Sequence, residues 1–308
     1  MSIVYQSEAT RGQRWRARCY ERAPERSFFV WPECGPARDV RYLIAWQPPG
    51  DLVERFPNLD VLFSVGAGVD QLDLDAIPVE LPVVRMIDDG LTQGMIEYVV
   101  CAVLAAQRDL PAYLAQQSQH VWQALTQRPA AATHVGVMGL GQLGQAVLGP
   151  LKALGLVCEG WSRSPRTLDG VRVHSGADEL DLFLSRTDIL VCLLPLTDET
   201  EGLLDRHLFE RLRKGASLIH VGRGGQLVID DLIDALDRGR LRSAIVDVVD
   251  PEPLPADHPL WDHPNVWLTP HIASSTQADT AIDAILDNIE RFEAGQPMHG
   301  VVDRRRGY

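Results

Sequence analysis

The sequence lacks the cysteine patterns of disulfide-rich and zinc-binding proteins. Its five cysteines, Cys19, Cys34, Cys101, Cys158 and Cys192, are odd in number, scattered, and form no Cys-x-x-Cys pair. A disulfide framework needs paired cysteines, and a structural zinc site needs closely spaced ones. We therefore expect no disulfides, no metal site and a reducing compartment.

Long apolar segments and positive charge are also scarce. The opening segment, MSIVYQSEATRGQRWRARCY, lacks the apolar core of a signal peptide, and the longest apolar stretch, around Val99–Ala106, is far too short to span a bilayer. The chain has 29 Lys and Arg against 42 Asp and Glu, a formal net charge of -13. Such an acidic excess repels nucleic-acid phosphates and anionic membrane surfaces. We expect a cytoplasmic protein that binds neither.

The remaining composition is that of a soluble globular protein. With 308 residues, 45% of them hydrophobic and 23% charged, the chain is long enough for about two domains with sizeable cores. Short apolar runs separated by turn residues predict strands in the first hundred residues, at Ser2–Tyr5, Tyr42–Trp46, Val61–Val65 and Val83–Met86.

From Thr133 onward, strands alternate with helices, which predicts a parallel, doubly wound sheet. A long apolar helix, Gly94–Leu110, precedes this region, and a last helix, about Thr276–Glu293, follows it. We therefore predict an α/β fold of two Rossmann- or flavodoxin-like doubly wound parallel-sheet domains. A dinucleotide-binding domain, residues 101–282, is inserted into a discontinuous substrate domain, residues 1–100 and 283–308.

A glycine fingerprint, VGVMGLGQLG (135–144), follows a predicted strand and opens a predicted helix. This context is what a dinucleotide-binding GxGxxG motif requires, since the helix N-terminus faces the pyrophosphate. Gly139 permits the tight turn, Gly141 the close approach of the backbone to the pyrophosphate, and Gly144 the packing of helix on sheet. The alternative is a glycine-rich turn that binds nothing.

The end of the following strand predicts which dinucleotide binds. NAD-binding folds usually carry an acidic residue about 20 residues beyond the fingerprint, where it binds the ribose 2′-hydroxyl. Here the segment reads Ser162-Arg163-Ser164-Pro165-Arg166, with two cations and two hydroxyls. These groups suit a 2′-phosphate, so we expect NADP(H) to be preferred and NAD(H) to remain possible. A solvated basic loop is the alternative.

Three further segments carry the residues of an acid–base catalyst, in the order HVGRGGQL (220–227), DVVDPEPLP (247–255) and LTPHIAS (268–274). The Arg223 guanidinium matches a carboxylate through two parallel hydrogen bonds, and the His271 imidazole can protonate an alkoxide. Glu252, between two prolines, would favour the protonated imidazole. Each residue alone also fits a surface or structural group, but three in order behind a dinucleotide loop indicate a catalytic set.

The chain resembles the D-isomer-specific 2-hydroxyacid dehydrogenases nearly end to end. The resemblance includes the glycine fingerprint, these three segments, SVGAGVDQL (64–72), GLTQGMIEYVV (90–100), WSRSPR (161–166), LLPLTDET (193–200) and the tail VDRRRGY (302–308). The resemblance implies Arg223 as the substrate anchor, His271 as the general acid/base and Glu252 as its partner. It also implies a homodimer formed through the cofactor domain. One departure is His220, where the family commonly has Asn, which leaves the local hydrogen bonding open.

The predicted contacts follow from the motifs and, in part, from this resemblance. The glycines of SVGAGVD free backbone amides for an anion, with a tight structural turn as the alternative. Trp46 either lines the substrate pocket or is a core residue. The substrate contacts are Trp46, Val65, Gly66, Ala67, Arg223 and His271. The cofactor contacts are Gly139, Leu140, Gly141, Gln142, Leu143, Gly144, Ser162, Arg163, Ser164, Arg166, Leu194, Pro195, Thr200, Val221, Gly222, Asp247 and His271.

We accordingly predict an NADPH-preferring reductase of small 2-oxo acids that forms D-2-hydroxy acids. The resemblance implies glyoxylate and hydroxypyruvate as substrates, with glycolate and D-glycerate as products. Two alternatives remain: an NAD-dependent dehydrogenase of a bulkier D-2-hydroxy acid, and a non-catalytic protein that senses the dinucleotide and switches partners, since fold does not fix function.

Overall fold

A computed structural model describes residues 1–308 and divides them into two compact units, residues 1–92 with 275–308, and residues 93–274. The boundaries expected from the sequence, after residue 100 and before residue 283, lie inside helices α3 (Asp89–Gln107) and α9 (Ala278–Glu293). A division within or beside a continuous helix has no turn residues to mark it. The predicted domain limits therefore stay a prediction.

The first unit contains a five-stranded parallel sheet in the order β2-β1-β3-β4-β5. Its strands are β1 (Ser2–Gln6), β2 (Ser27–Val30), β3 (Val40–Ala45), β4 (Val61–Ser64) and β5 (Val83–Val84), and its helices include α1 (Ala9–Arg22), α2 (Leu52–Arg55) and α9. Helix α1 and strand β2 were not predicted. The helix is arginine-rich and buries only Gly12, Trp15 and Cys19, so few apolar residues indicate it in the sequence.

The second unit contains a seven-stranded parallel sheet in the order β12-β11-β10-β9-β6-β7-β8. Its strands are β6 (His134–Met138), β7 (Val157–Ser162), β8 (Arg172–Ser175), β9 (Ile189–Cys192), β10 (Ala216–His220), β11 (Leu241–Val246) and β12 (Val266–Leu268). Its helices, after α3, are α4 (Leu110–Ser118), α5 (Gln142–Ala153), α6 (Leu180–Arg186), α7 (Arg206–Arg211) and α8 (Ile229–Asp237). Strand β8 and helix α4 were not predicted.

Strand β9 shows that the second sheet is buried on both faces. Leu190 and Cys192 belong to one apolar cluster, and Ile189 and Val191 to another. Because successive strand side chains point to opposite faces, helices must cover both, as in a doubly wound sheet. The predicted fold class is confirmed. Strand order reverses between β6 and β9, and such a point is where open α/β sheets bind ligands at the carboxyl ends of their strands.

Candidate active site

The turn after β6 has the geometry of a phosphate-binding loop. Gly139 has a φ of 97°, and a Cβ there would lie 2.6 Å from Leu193 O. A Cβ at Gly144 would lie 1.8 Å from Gly139 O, so only glycine allows this packing of helix on turn. Gly141 faces open space and caps α5, whose first N–H groups have no side-chain cap. These N–H groups fit an anion such as a dinucleotide pyrophosphate.

The other residues of this loop hold it in place. Leu140 is buried, and its carbonyl accepts hydrogen bonds from Gln145 Nε2 at 2.8 Å and Arg166 Nη1 at 2.7 Å. Gln142 and Leu143 form the first turn of α5, the former exposed and the latter half-buried. One of the two predicted cations, Arg166, thus joins the glycine loop directly.

The end of β7 presents cations and hydroxyls. Ser162 is buried, and its Oγ donates to Ser164 O at 2.7 Å, which closes the turn. The exposed guanidinium of Arg163 lies 3.7 Å from Glu199 Oε1. The hydrogen bond from the Thr197 side chain and, more weakly, the charge of Arg163 lower the pKa of Glu199. A carboxylate from another loop therefore stands beside the predicted 2′-phosphate cation.

Two side chains, Thr200 and Gln226, hold the loop after β9 by hydrogen bonds to its carbonyls. Thr200 Oγ1 donates to Pro195 O at 2.7 Å, and the buried Gln226 amide donates to Leu194 O at 3.1 Å and to Pro195 O at 2.9 Å. The loop carbonyls of the predicted cofactor contacts Leu194 and Pro195 are therefore fixed by side chains of the same unit.

The end of β10 places Arg223 on a rigid backbone. Val221 is buried, and a Cβ at Gly222 would lie 2.2 Å from Gln226 Oε1. Arg223 Nη1 donates to Gly222 O at 2.8 Å. His220 is fully buried and donates from Nε2 to Arg223 O at 2.9 Å. Burial lowers the pKa of His220 to about 4, so this imidazole is neutral and serves the backbone of Arg223.

The turn that carries His271 is held by hydrogen bonds to Asp247. The Oδ1 atom of Asp247 accepts hydrogen bonds from Thr269 Oγ1 at 2.6 Å and Ile272 N at 2.8 Å, and Oδ2 accepts one from Ala273 N at 2.8 Å. The carbonyl of Asp247 accepts from His271 N at 2.8 Å. Asp247, predicted as a cofactor contact, thus has both carboxylate oxygens engaged within the chain.

His271 and Glu252 meet side chain to side chain. Nδ1–H of His271 donates to Glu252 Oε2 at 2.9 Å, and Val249 N donates to Glu252 Oε1 at 3.2 Å. Because a carboxylate only accepts, Nδ1 carries a proton and Nε2 is left to face a ligand. Both side chains are more than one-third exposed, at 39% and 38%.

In the first unit, the SVGAGVD loop follows β4. The N–H of Val65 donates to Ala45 O at 3.2 Å, and the N–H of Gly66 donates to Ser64 Oγ at 3.2 Å. Of the three predicted amides, Ala67 N–H makes no hydrogen bond within the chain and is the one open to an anion.

Trp46 borders the same loop. It is 39% exposed, and a Cβ at Gly66 would lie 3.2 Å from its Cζ3. The indole thus lines the loop surface and is not a core side chain.

Comparison with known proteins identifies the family. The sequence model of the D-isomer-specific 2-hydroxyacid dehydrogenase NAD-binding domain matches residues 100–273. The chain belongs to the D-isomer-specific 2-hydroxyacid dehydrogenases. The predicted membership is therefore confirmed, as is the resemblance, within this family, to glyoxylate/hydroxypyruvate reductase A.

The relatives extend over the whole chain. Glyoxylate/hydroxypyruvate reductase A of Serratia proteamaculans is 38% identical over 314 aligned residues, with all of both chains covered, and that of Yersinia enterocolitica is 36% identical over the same length. A family structure from Xanthobacter autotrophicus with NADPH and MES has a TM-score of 0.94 at 38% identity, covering 100% and 99% of the chains. A structure from Sinorhizobium meliloti, an NADPH-dependent glyoxylate/hydroxypyruvate reductase with NADP and sulfate, has a TM-score of 0.90 at 38% identity, with the same coverage.

Three residues of this dehydrogenase site were missed by sequence reasoning. Gln226 fixes the loop after β9, and Thr269 links Asp247 to Tyr98, whose OH lies 2.6 Å from Thr269 Oγ1. Because Thr269 donates its proton to Asp247, Tyr98 must donate to Thr269. Gln226 and Thr269 lie inside the catalytic segments, three residues after Arg223 and two before His271, but nothing in their spacing reveals a shared hydrogen bond.

No helix of the chain combines the length and apolarity needed to cross a bilayer.

Proposed function

We propose that this chain is an NADPH-preferring reductase that converts small 2-oxo acids, above all glyoxylate and hydroxypyruvate, to D-2-hydroxy acids. The names of its full-length relatives support the substrates, and the related structures that contain NADPH or NADP support the cofactor. In this proposal the inserted unit binds the dinucleotide and carries Arg223 and His271, and the discontinuous unit carries the SVGAGVD loop.

The observation that carries the proposal is the His271–Glu252 pair at 2.9 Å, in the same unit as the glycine loop. When bound, the nicotinamide supplies the hydride. His271 gives its Nε2 proton to the oxygen on which negative charge develops, while Glu252 keeps the Nδ1 proton in place. Arg223 holds the substrate carboxylate through its guanidinium fork and polarises the neighbouring carbonyl.

The first unit contributes the substrate contacts of the SVGAGVD loop in this proposal. Ala67 N–H binds the carboxylate, and Val65 and Gly66, whose amides hold the loop together, shape it. Trp46, which lies against Gly66, limits the size of the acid that fits.

Initial rates with a panel of 2-oxo acids test the proposal. Glyoxylate, hydroxypyruvate, pyruvate and phenylpyruvate are each assayed with NADPH and with NADH. We expect the highest kcat/KM for glyoxylate or hydroxypyruvate with NADPH. Higher kcat/KM for phenylpyruvate with NADH favours the dehydrogenase of a bulkier acid, and NADPH binding without turnover of any acid favours the sensor.

We also propose a homodimer formed through the second unit and a cytoplasmic location. Leu110, Leu114, Val121 and Trp122 expose apolar surface around α4, with Trp122 fully exposed. Exposed large apolar side chains that lie close together in the chain are consistent with a protein interface. Light scattering of the parent and of Trp122→Ser tests the dimer: a monomeric parent contradicts it.

For the proposed location, all five cysteines are without disulfides, which suits a reducing compartment.

A further inference from the structure

The backbone of Arg223 is held at both of its polar atoms by buried side chains. Its N–H donates to Gln226 Oε1 at 2.9 Å, and its carbonyl accepts from His220 Nε2 at 2.9 Å and from the N–H of Gln226 at 3.0 Å. Gln226 and His220 are fully buried. The backbone that carries the guanidinium is therefore held by one side chain of β10, His220, and by one of the turn that follows it, Gln226.

The other end of the Gln226 amide reaches a different loop. Nε2 donates to Leu194 O at 3.1 Å and to Pro195 O at 2.9 Å. Two carbonyls face the nitrogen and one N–H faces the oxygen, so only one orientation of the amide satisfies every partner. One buried side chain thus joins Arg223 to the loop predicted to contact the dinucleotide.

We propose that Gln226 is a positioning residue that sets Arg223 for the substrate carboxylate by tying its backbone to the loop after β9, an inference that rests on the proposed function. A guanidinium fork binds a carboxylate only in the correct orientation, and small displacements of a positioned group cost large factors in rate. Loss of the amide removes the hydrogen bonds of Gln226 to Arg223 N and Leu194 O, whereas Pro195 O keeps the hydrogen bond from Thr200 Oγ1.

Two variants and one control test the role. Gln226→Met keeps much of the volume and removes the three hydrogen bonds to Arg223, Leu194 and Pro195, whereas Gln226→Glu keeps the acceptor and removes the amide donors. The matched control is Gln107→Met, since Gln107 is a buried glutamine of the same unit whose Nε2 donates to Arg128 O at 2.7 Å, outside the catalytic segments. Dissociation constants are measured for NADPH alone and for oxamate, a non-reacting 2-oxo acid analogue, in the presence of NADPH.

We expect Gln226→Met to weaken oxamate binding at least about tenfold and to raise KM for glyoxylate similarly, with less than about threefold change in NADPH binding. Gln107→Met should lower Tm without weakening oxamate. In Gln226→Glu, protonation of the buried carboxyl restores one donor, so its oxamate defect relative to the parent should shrink as pH falls.

The outcomes separate this inference from the proposed function. A parent protein that neither reduces glyoxylate nor binds oxamate overturns both. A parent that does so, with Gln226→Met binding oxamate as tightly or weakening only as much as Gln107→Met, overturns the positioning role alone. If Gln226→Met does not fold, the pH series of Gln226→Glu decides: an oxamate affinity equal to that of the parent at every pH overturns the role.

Discussion

The imidazole Nδ1 of His271 lies 2.9 Å from Oε2 of Glu252, on a turn whose backbone is left-handed. The φ of His271 is 53°, a conformation that costs an L residue of order 1–2 kcal/mol and persists only where the surroundings hold it. Asp247 supplies that hold by accepting four hydrogen bonds from residues 269–273. The turn thus directs the imidazole toward a carboxylate on a different loop.

Replacement of Glu252 by Gln should reduce turnover. The variant keeps the shape of the side chain but replaces the carboxylate that accepts from Nδ1–H of His271 with a neutral amide, so we expect kcat to fall about tenfold to a hundredfold. NADPH affinity should change little. Asp250→Asn is the matched control, because Asp250 is an exposed carboxylate of the same loop. A kcat for Glu252→Gln within twofold of the control contradicts the pairing role.

Removal of the imidazole should have a larger effect. We expect His271→Ala to lower kcat about a hundredfold or more, the range for loss of a positioned general acid. The NADPH dissociation constant, measured by fluorescence, should stay near that of the parent. His207→Ala, an exposed histidine on α7, serves as the control. Glyoxylate reduction by His271→Ala at the parent rate shows that the proton comes from elsewhere.

The sequence predicts those features of the structure that depend on patterns among neighbouring residues. The glycine loop, the strand ends and the three catalytic segments follow from local patterns, and the fold class from strand–helix alternation. Helix α1 was not predicted because it contains five arginines and buries only three residues. The contacts between Gln226 and the loop after β9 join residues 31 and 32 positions apart. Such pairings are set by the tertiary fold and leave no periodicity in the sequence.

Arg163 and Glu199 should act in opposite directions on cofactor choice. Arg163→Asp should reduce the preference for NADPH over NADH by roughly tenfold or more, since a charged hydrogen bond to the 2′-phosphate is lost. Glu199→Gln should strengthen NADPH binding, because the carboxylate 3.7 Å from Arg163 competes with the phosphate for the same cation. Dissociation constants for both dinucleotides measure this. An unchanged NADPH-to-NADH ratio in Arg163→Asp removes Arg163 from the site.

Arg223→Lys distinguishes a carboxylate anchor from a surface cation. Lysine keeps the charge but is a point donor without the planar fork, so KM for glyoxylate should rise and kcat should fall. Both constants are measured at saturating NADPH on variants that match the parent in Tm. Arg238→Lys, on the exposed i,i+4 pair with Asp234, controls for the loss of an arginine in this unit. Parent-like constants for Arg223→Lys would falsify the anchor role and favour the sensor.

The buried His220 should make stability depend on pH. Burial lowers its pKa from 6.5 to about 4, so between these values the unfolded chain binds more protons, and the free energy of unfolding falls as pH decreases. His220→Asn should remove about 2 kcal/mol of the parent's loss between pH 7.5 and pH 5. Urea unfolding of both proteins at the two pH values measures the difference. An equal pH dependence in the two proteins contradicts the lowered pKa of His220. The imidazole would then be protonated in the folded chain, which its hydrogen bond to Arg223 O permits.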